Sequence, residues 1–290
     1  MSMLYEQALL AYVRNFPGTI GKYRLVDNFR SKSAGKSDSV RRAKLIYGDF
    51  QVNCDIRYKL QRQFYFFGTY FLERDILARW QEMAKNAKVI CDVGANLGIY
   101  SLAAAAANSN AVVHAFEPTS EIVQQLRSTL ELNKLDQKIH VHQVAVGQQA
   151  GKAYLNHFGL ESHGNEGMNF VSEDQRASQT TVVDVMSLDD FCSTHAIETI
   201  DLMKIDVQGN EPAVLRGASR LIKSGNVKSI FLELNWDDSP DASCPAKEAI
   251  SLLAAADYHF SDARHELNPR PAGKWLHGIS DVIVVSPRVE

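Results

Sequence analysis

Carboxylates set beside glycines carry most of the chemistry legible in this chain. Val89-Ile90-Cys91-Asp92-Val93-Gly94-Ala95-Asn96-Leu97-Gly98 is an apolar run that ends in an acid and breaks into a glycine turn. Such a run suits a parallel strand covered on both faces. Gly94 and Gly98 let a backbone pass close to a ligand. The alanine-rich stretch after Gly98 predicts a helix whose first N–H groups face that ligand. The next apolar run, Val112-Val113-His114-Ala115-Phe116, ends at Glu117-Pro118. An acid at the tip of a second strand is where the hydroxyls of a nucleoside ribose are held. The glycine spacing is D-x-G-x-x-x-G, not the G-x-G-x-x-G that seats a pyrophosphate. A carboxylate at Asp92 is a poor neighbour for a pyrophosphate and a good one for a cationic amino-acid tail or a sulfonium. A plain glycine turn of an ordinary α/β protein is the alternative, and Glu117 argues against it.

A second cluster follows the same plan. Leu202-Met203-Lys204-Ile205-Asp206-Val207-Gln208-Gly209-Asn210-Glu211-Pro212 predicts a strand, a glycine turn and a helix start. Pro212 fits an early helical position, where its missing N–H is not needed. Asp206 falls at the carboxyl end of its strand, where open α/β sheets bind ligands. Glu211 falls in a first helical turn, which favours an acid for its dipole alone. Glu233, inside Phe231-Leu232-Glu233-Leu234, ends the next strand, and an unpaired charge in such a run is costly. Three carboxylates on adjacent strand ends therefore point at one crevice.

These residues need a sheet to hold them. From residue 88 the pattern alternates strand and helix. Strands are predicted at 88–93, 111–116, 139–146, 200–205 and 228–234, and helices at 98–107, 120–133, 209–223 and 245–256. The alternation implies a doubly wound, mostly parallel α/β sheet. Residues 151–184 interrupt it with strand-like 152–156 and 180–185 around a glycine-punctuated loop, read as an inserted hairpin whose loop at about 160–178 closes like a lid. Residues 258–262 and 280–285 read as two closing strands. Residues 1–85 form an α+β extension: a helix at 4–13, a polar loop at 28–38, a hairpin at 43–56 turned at Gly48-Asp49, and a helix at 71–85. The domain division expected is 1–85 and 86–290.

Taken together, Asp92 to Gly98, Phe116-Glu117-Pro118, Asn133, Val144-Ala145-Val146-Gly147, Ser187-Leu188-Asp189 and Lys204 to Glu211 resemble the FkbM family of methyltransferases. The resemblance spans about residues 65–236, including Gly68-Thr69-Tyr70-Phe71-Leu72-Glu73. Gln208 departs from it, since the family often has Glu there. The resemblance implies a class I, Rossmann-like methyltransferase fold with an antiparallel C-terminal strand pair. It implies S-adenosylmethionine as cofactor and S-adenosylhomocysteine as product. The expected cofactor-binding residues are Asp92, Gly94, Ala95, Asn96, Gly98, Glu117, Pro118, Ala145 and Asp206. The methyl group would pass to a hydroxyl of a sugar, glycan or natural product, with Asp206, Glu211 and Glu233 as the catalytic candidates. Such transfer needs in-line alignment and removal of the hydroxyl proton. The acids could hold Mg²⁺, but the pattern does not demand it; no metal is expected and no metal ligand is assigned.

Composition bounds the alternatives. The 290 residues are 45% hydrophobic and 22% charged, as in a globular enzyme of one large domain. A net charge of -3 leaves no electrostatic footprint for nucleic acid, and the basic run 36–44 reads as a solvated loop. No segment approaches eighteen uninterrupted apolar residues, so no membrane span is expected. The first residues lack a basic region followed by an apolar core, and the four cysteines form no C-x-x-C pair. Both point to a reducing, cytoplasmic setting. The expected partner is a small-molecule or glycan acceptor, and a homo-oligomer is compatible. His114, His140 and His142 read as structural, and His163 and His277 as alternative bases in loops. The aromatic run 64–67 reads as core, and Tyr70 as a residue at the cofactor entrance. Two other functions stay open: a non-catalytic module on this fold, and a NAD-dependent oxidoreductase on a similar sheet.

Overall fold

The computed structural model describes residues 3–16, 21–29, 39–70, 73–157, 170–172, 174–175, 179–234, 244–263 and 282–287. Most of the loop expected to act as a lid lies outside them, apart from 170–172 and 174–175, and His163 and His277 lie outside them too.

A seven-stranded sheet forms the centre. Its strands are β3 (Val89–Val93), β4 (Val112–Phe116), β5 (Ile139–His142), β10 (Leu202–Ile205), β11 (Ile230–Glu233), β12 (Tyr258–Asp262) and β13 (Val282–Pro287). The order is β12-β13-β11-β10-β3-β4-β5. Pairing is parallel from β11 to β5 and antiparallel for β13 against both neighbours. The chain leaves β3 in one direction, through β4 and β5, and returns on the other side at β10. That reversal opens a crevice beyond the carboxyl ends of β3 and β10.

Alternation along the strands feeds two apolar layers. Ile90, Val113, Leu202 and Phe231 point to one face, where they meet Trp80, Leu102 and Leu126. These belong to α4 (Arg74–Ala84), α5 (Ile99–Ala107) and α6 (Ser120–Asn133). Cys91, Met203, Ile205 and Leu232 point to the other, against α7 (Leu188–Thr194), α8 (Glu211–Gly217), α9 (Ser219–Lys223) and α10 (Pro245–Ala255). All four cysteines are free and buried.

The N-terminal segment joins the first layer. It comprises α1 (Met3–Asn15), α2 (Lys22–Asp27), the antiparallel hairpin β1 (Val40–Lys44) and β2 (Gln51–Asp55), and α3 (Lys59–Phe67). Leu9, Val26, Val52 and Phe64 share one continuous core with Trp80 and Val113. Asn133, at the end of α6, clamps β2 by accepting from the Gln51 N–H at 2.8 Å and donating to its carbonyl at 2.7 Å.

Two expected elements are divided. The strand expected at 139–146 turns at Val144, whose N–H donates to the His142 carbonyl at 3.0 Å. Its second half, β6 (Ala145–Val146), joins a smaller sheet of order β6-β9-β7-β8, with β7 (Gly151–Asn156), β8 (Phe170–Ser172) and β9 (Thr180–Met186). The helix expected at 209–223 starts at Glu211 and breaks at Ala218, next to Gly217. A Cβ on Gly217 would stand 2.0 Å from the Gly147 carbonyl oxygen, so α8 lies hard against the chain leaving β6.

Candidate active site

The turn after β3 is wound tightly by left-handed residues. Gly94, Asn96 and Gly98 have φ of 78°, 50° and 75°. The N–H groups of Gly94 and Ala95 both donate to the Phe116 carbonyl at 3.0 Å, which ties this turn to the end of β4. Gly94 is required by protein rather than by space for a ligand: a Cβ there would lie 1.8 Å from the Asp206 carbonyl oxygen. The turns after β3 and β10 therefore pack backbone on backbone.

Asp92 and Glu117 have different surroundings. Asp92 is buried behind the turn, where its Oδ2 accepts from the Ser101 N–H at 3.0 Å and the Ser101 hydroxyl at 2.7 Å. Burial raises its pKa, against the pull of Lys204 and the Ser101 bonds. Glu117 lines the crevice. Its Oε2 accepts from the Asn96 N–H at 3.0 Å and its Oε1 from the Thr119 N–H at 2.9 Å. Burial raises its pKa too, opposed by these bonds. The Thr119 side chain also hydrogen-bonds to it. A carboxylate has about four acceptor sites, so one remains for a ribose hydroxyl.

Asp206 leaves β10 on the opposite wall. Its Oδ2 accepts from Lys204 Nζ at 2.7 Å and its Oδ1 from Gln208 Nε2 at 2.8 Å. Burial is the largest influence and works to raise its pKa, but the Lys204 charge and the hydrogen bonds from Lys204, Gln208 and Glu233 together hold the carboxyl below its usual range. Glu233 ends β11 beside it and hydrogen-bonds to it. Glu211 stands apart. Its carboxylate folds back to accept from the Gly209 N–H at 2.9 Å, and it is not among the residues lining the crevice.

The crevice opens into a cleft of about 930 Å³. Gly94, Asn96, Glu117, Pro118, Ala145 and Asp206 line it, and Tyr70 stands at its wall. Asn53 and Gln61 of the N-terminal segment close one side, and His157 and Thr180 of the inserted sheet another. Among the described residues that line it there is no lysine or arginine. No group of three or more His, Cys, Asp or Glu among the described residues is arranged to hold a metal ion. No helix among them is long and apolar enough to cross a membrane.

Lys204, Glu73 and Tyr100 were not singled out from sequence. Lys204 is buried, with its Nζ 4.5 Å from the centre of the Tyr100 ring. The Tyr100 hydroxyl donates to Glu73 Oε2 at 2.7 Å. Strand alternation was the available signal, because Asp92, Lys204 and Glu233 fall on the face of Ile90, Leu202 and Phe231.

A doubly wound sheet with a glycine turn after its first strand and an acid after its second is a nucleoside-binding arrangement, and the family match makes it that of an S-adenosylmethionine-dependent methyltransferase. The match to the methyltransferase FkbM domain covers residues 92–260, and the chain belongs to that family. It is similar to a protein named 2-O-methyltransferase NoeI from Sinorhizobium fredii, 25% identical over 182 residues, 59% of this chain and 73% of that one. Solved structures with similarity include an O-methyltransferase from Bacillus cereus in complex with SAH, at 13% identity and TM-score 0.43, covering 74% of this chain and 80% of that one. Another is a precorrin-6y C5,15-methyltransferase from Geobacter metallireducens, at 13% identity and TM-score 0.39, covering 73% and 87%.

Proposed function

We propose that the protein methylates a hydroxyl oxygen of a neutral, sugar-bearing acceptor. The observation that carries this reading is Asp206, a carboxylate set on the cleft wall across from Glu117 and hydrogen-bonded to Lys204 Nζ at 2.7 Å. The cleft residues fit the donor: Glu117 has acceptor capacity for a ribose hydroxyl, Pro118 and Ala145 flank it, and the acidic lining favours a sulfonium. The donor supplies a methyl group already activated for displacement. The chain's own work is to orient the acceptor and to take its proton, and Asp206 is the base for that step. Lys204 keeps Asp206 charged, and Gln208 fixes its other oxygen.

Two features favour a neutral hydroxyl acceptor. The described cleft lining offers amides such as Asn53, Gln61, Gln124 and Gln179, which suit hydroxyls, and no cation to pair with a phosphate or carboxylate. The 2-O-methyltransferase relative points the same way. Incubation with methyl-labelled S-adenosylmethionine and neutral or acidic glycan fractions tests this. Label in a base-stable methyl ether on a neutral glycan is expected. Label in a base-labile ester, or on nitrogen, would overturn the hydroxyl assignment.

A further inference from the structure

Four acids and one base meet on one side of the sheet beneath the cleft. Parallel pairing sets Lys204 opposite Asp92 and Ile205 opposite Leu232. Asp206 and Glu233 therefore leave adjacent strand ends side by side, and their carboxyls hydrogen-bond. Glu73 closes the group from the start of α4, through the Tyr100 hydroxyl of α5. Tyr70 faces Glu73, Asp206 and Asp92 as a neutral phenol, since burial raises its pKa far above the usual value. Among the described residues Lys204 is the one cation of this group.

Four carboxylates around one ammonium cannot all stay ionised in so dry a place. The charge divides unevenly. Burial, and then the Asp206 charge, push Glu233 well above the usual carboxylate range. Asp206 stays below it. Two hydrogen-bonded carboxyls of this kind hold one proton between them, and that proton belongs to the pair.

We propose that the Asp206–Glu233 pair gives up its shared proton when a sulfonium cation enters the cleft, so that both of its carboxylates are ionised only while the methyl donor is bound. The inference rests on the methyltransferase reading and adds a gate to it. A fixed positive charge near Asp206 replaces the proton as the counter-charge of the pair. Asp206 of the ionised pair then takes the hydroxyl proton as the acceptor oxygen bonds to the methyl carbon and the carbon–sulfur electron pair stays on sulfur. The product thioether is neutral, and the pair is again singly protonated. Each cycle returns one proton to solvent, at donor binding rather than during transfer. Without the donor, no ionised pair waits to bind stray cations.

Calorimetric titration tests the gate without an acceptor. S-adenosylmethionine and S-adenosylhomocysteine are titrated separately into the full chain, in buffers of different ionisation enthalpy. At about pH 6.5 the α-amino group common to both ligands is protonated and cancels. The expected result is release of about one proton more for the sulfonium ligand than for the thioether. Glu233→Gln should bind both ligands and lose that difference. Equal proton counts for the two ligands in the wild type would overturn the gate and leave the methyltransferase reading standing. An undiminished difference in Glu233→Gln would overturn it too. Failure of both ligands to bind would remove both readings.

Discussion

Two strand-to-helix turns stand side by side at the top of the sheet. The turn after β3 and the turn after β10 share a plan: an acid at the strand end, left-handed residues, a glycine and a helix. Their acids have opposite fates. Asp92 is turned inward and consumed by Ser101, while Asp206 sits on the cleft wall with an ammonium and an amide as partners. Their glycines differ as well. Gly94 is pressed against the Asp206 carbonyl, whereas a Cβ on Gly209 would find nothing nearer than Pro245 Cγ at 3.9 Å. The same local pattern therefore yields a scaffold in one place and chemistry in the other, and partners decide which.

The acids provide the sharpest test of this contrast. Asp206→Asn should cut methyl transfer by roughly 10²–10⁴-fold, the range for general-base assistance, while S-adenosylhomocysteine affinity is kept. Asp92→Asn should instead lower stability by about 1.5–3 kcal/mol through the Ser101 bonds, as read by urea unfolding. Equal turnover losses in the two variants would erase the distinction.

The glycines come next. Gly94→Ala places a Cβ on backbone at a positive φ and should cost about 3 kcal/mol or more, combining overpacking with left-handed strain. Gly209→Ala meets open space at φ of 100° and should cost only the strain, about 1–2 kcal/mol. Denaturant midpoints for the pair would break the comparison if the order were reversed.

Acid should separate the two neighbourhoods. His114 and His142, on β4 and β5 beside the first turn, are held at about 4, His114 by burial and then His142, His140 and His195, and His142 by burial and then His195, His140 and Arg127. A histidine held below its unfolded value of 6.5 is protonated more readily in the unfolded chain. Stability is therefore full above about 6.5 and falls as the pH is lowered towards about 4. The Lys204–Asp206 pair persists through that window, since Asp206 titrates below its usual 3.8. His142→Phe should flatten the decline in urea midpoint across this range, and an unchanged decline would remove the histidines from the account.

The smallest effect concerns a residue that contributed to the family resemblance. Ser187 caps α7 by accepting from the Asp190 N–H at 3.1 Å. Ser187→Ala should cost about 1 kcal/mol and leave ligand affinity unchanged.

Much of this was legible from pattern. The strand–helix alternation, both glycine turns and the acid of β4 were expected within a residue or two, because apolar periodicity and glycine carry that information. Three helices escaped. Those at 22–27 and 188–194 are too short for periodicity to register, although Ser187 and Asp190 formed a visible cap signal. The helix at 59–67 was masked because it buries polar side chains. Arg62 is satisfied there by the carbonyls of Val26, Ile56 and Arg57, an arrangement no local pattern reveals. Asn133, Ser187 and Asp189 could be quoted as motif members, but only contacts show them as a clamp and two caps. Asp189 accepts from the N–H groups of Arg220 and Leu221 at the start of α9. Lys204 lay in full view, and its role depends on strand register, which places it between Asp92 and Phe231.

Methyl transfer in this cleft requires a nucleoside donor lying across the crevice with its ribose on Glu117. Calorimetry of S-adenosylhomocysteine with the wild type and Glu117→Ala tests this most directly. The wild type should bind, and the variant should bind about 1.5–3 kcal/mol more weakly, the range for hydrogen bonds to a charged group. That corresponds to a dissociation constant roughly 10- to 150-fold higher. Equal dissociation constants, with both proteins folded, would contradict the assignment.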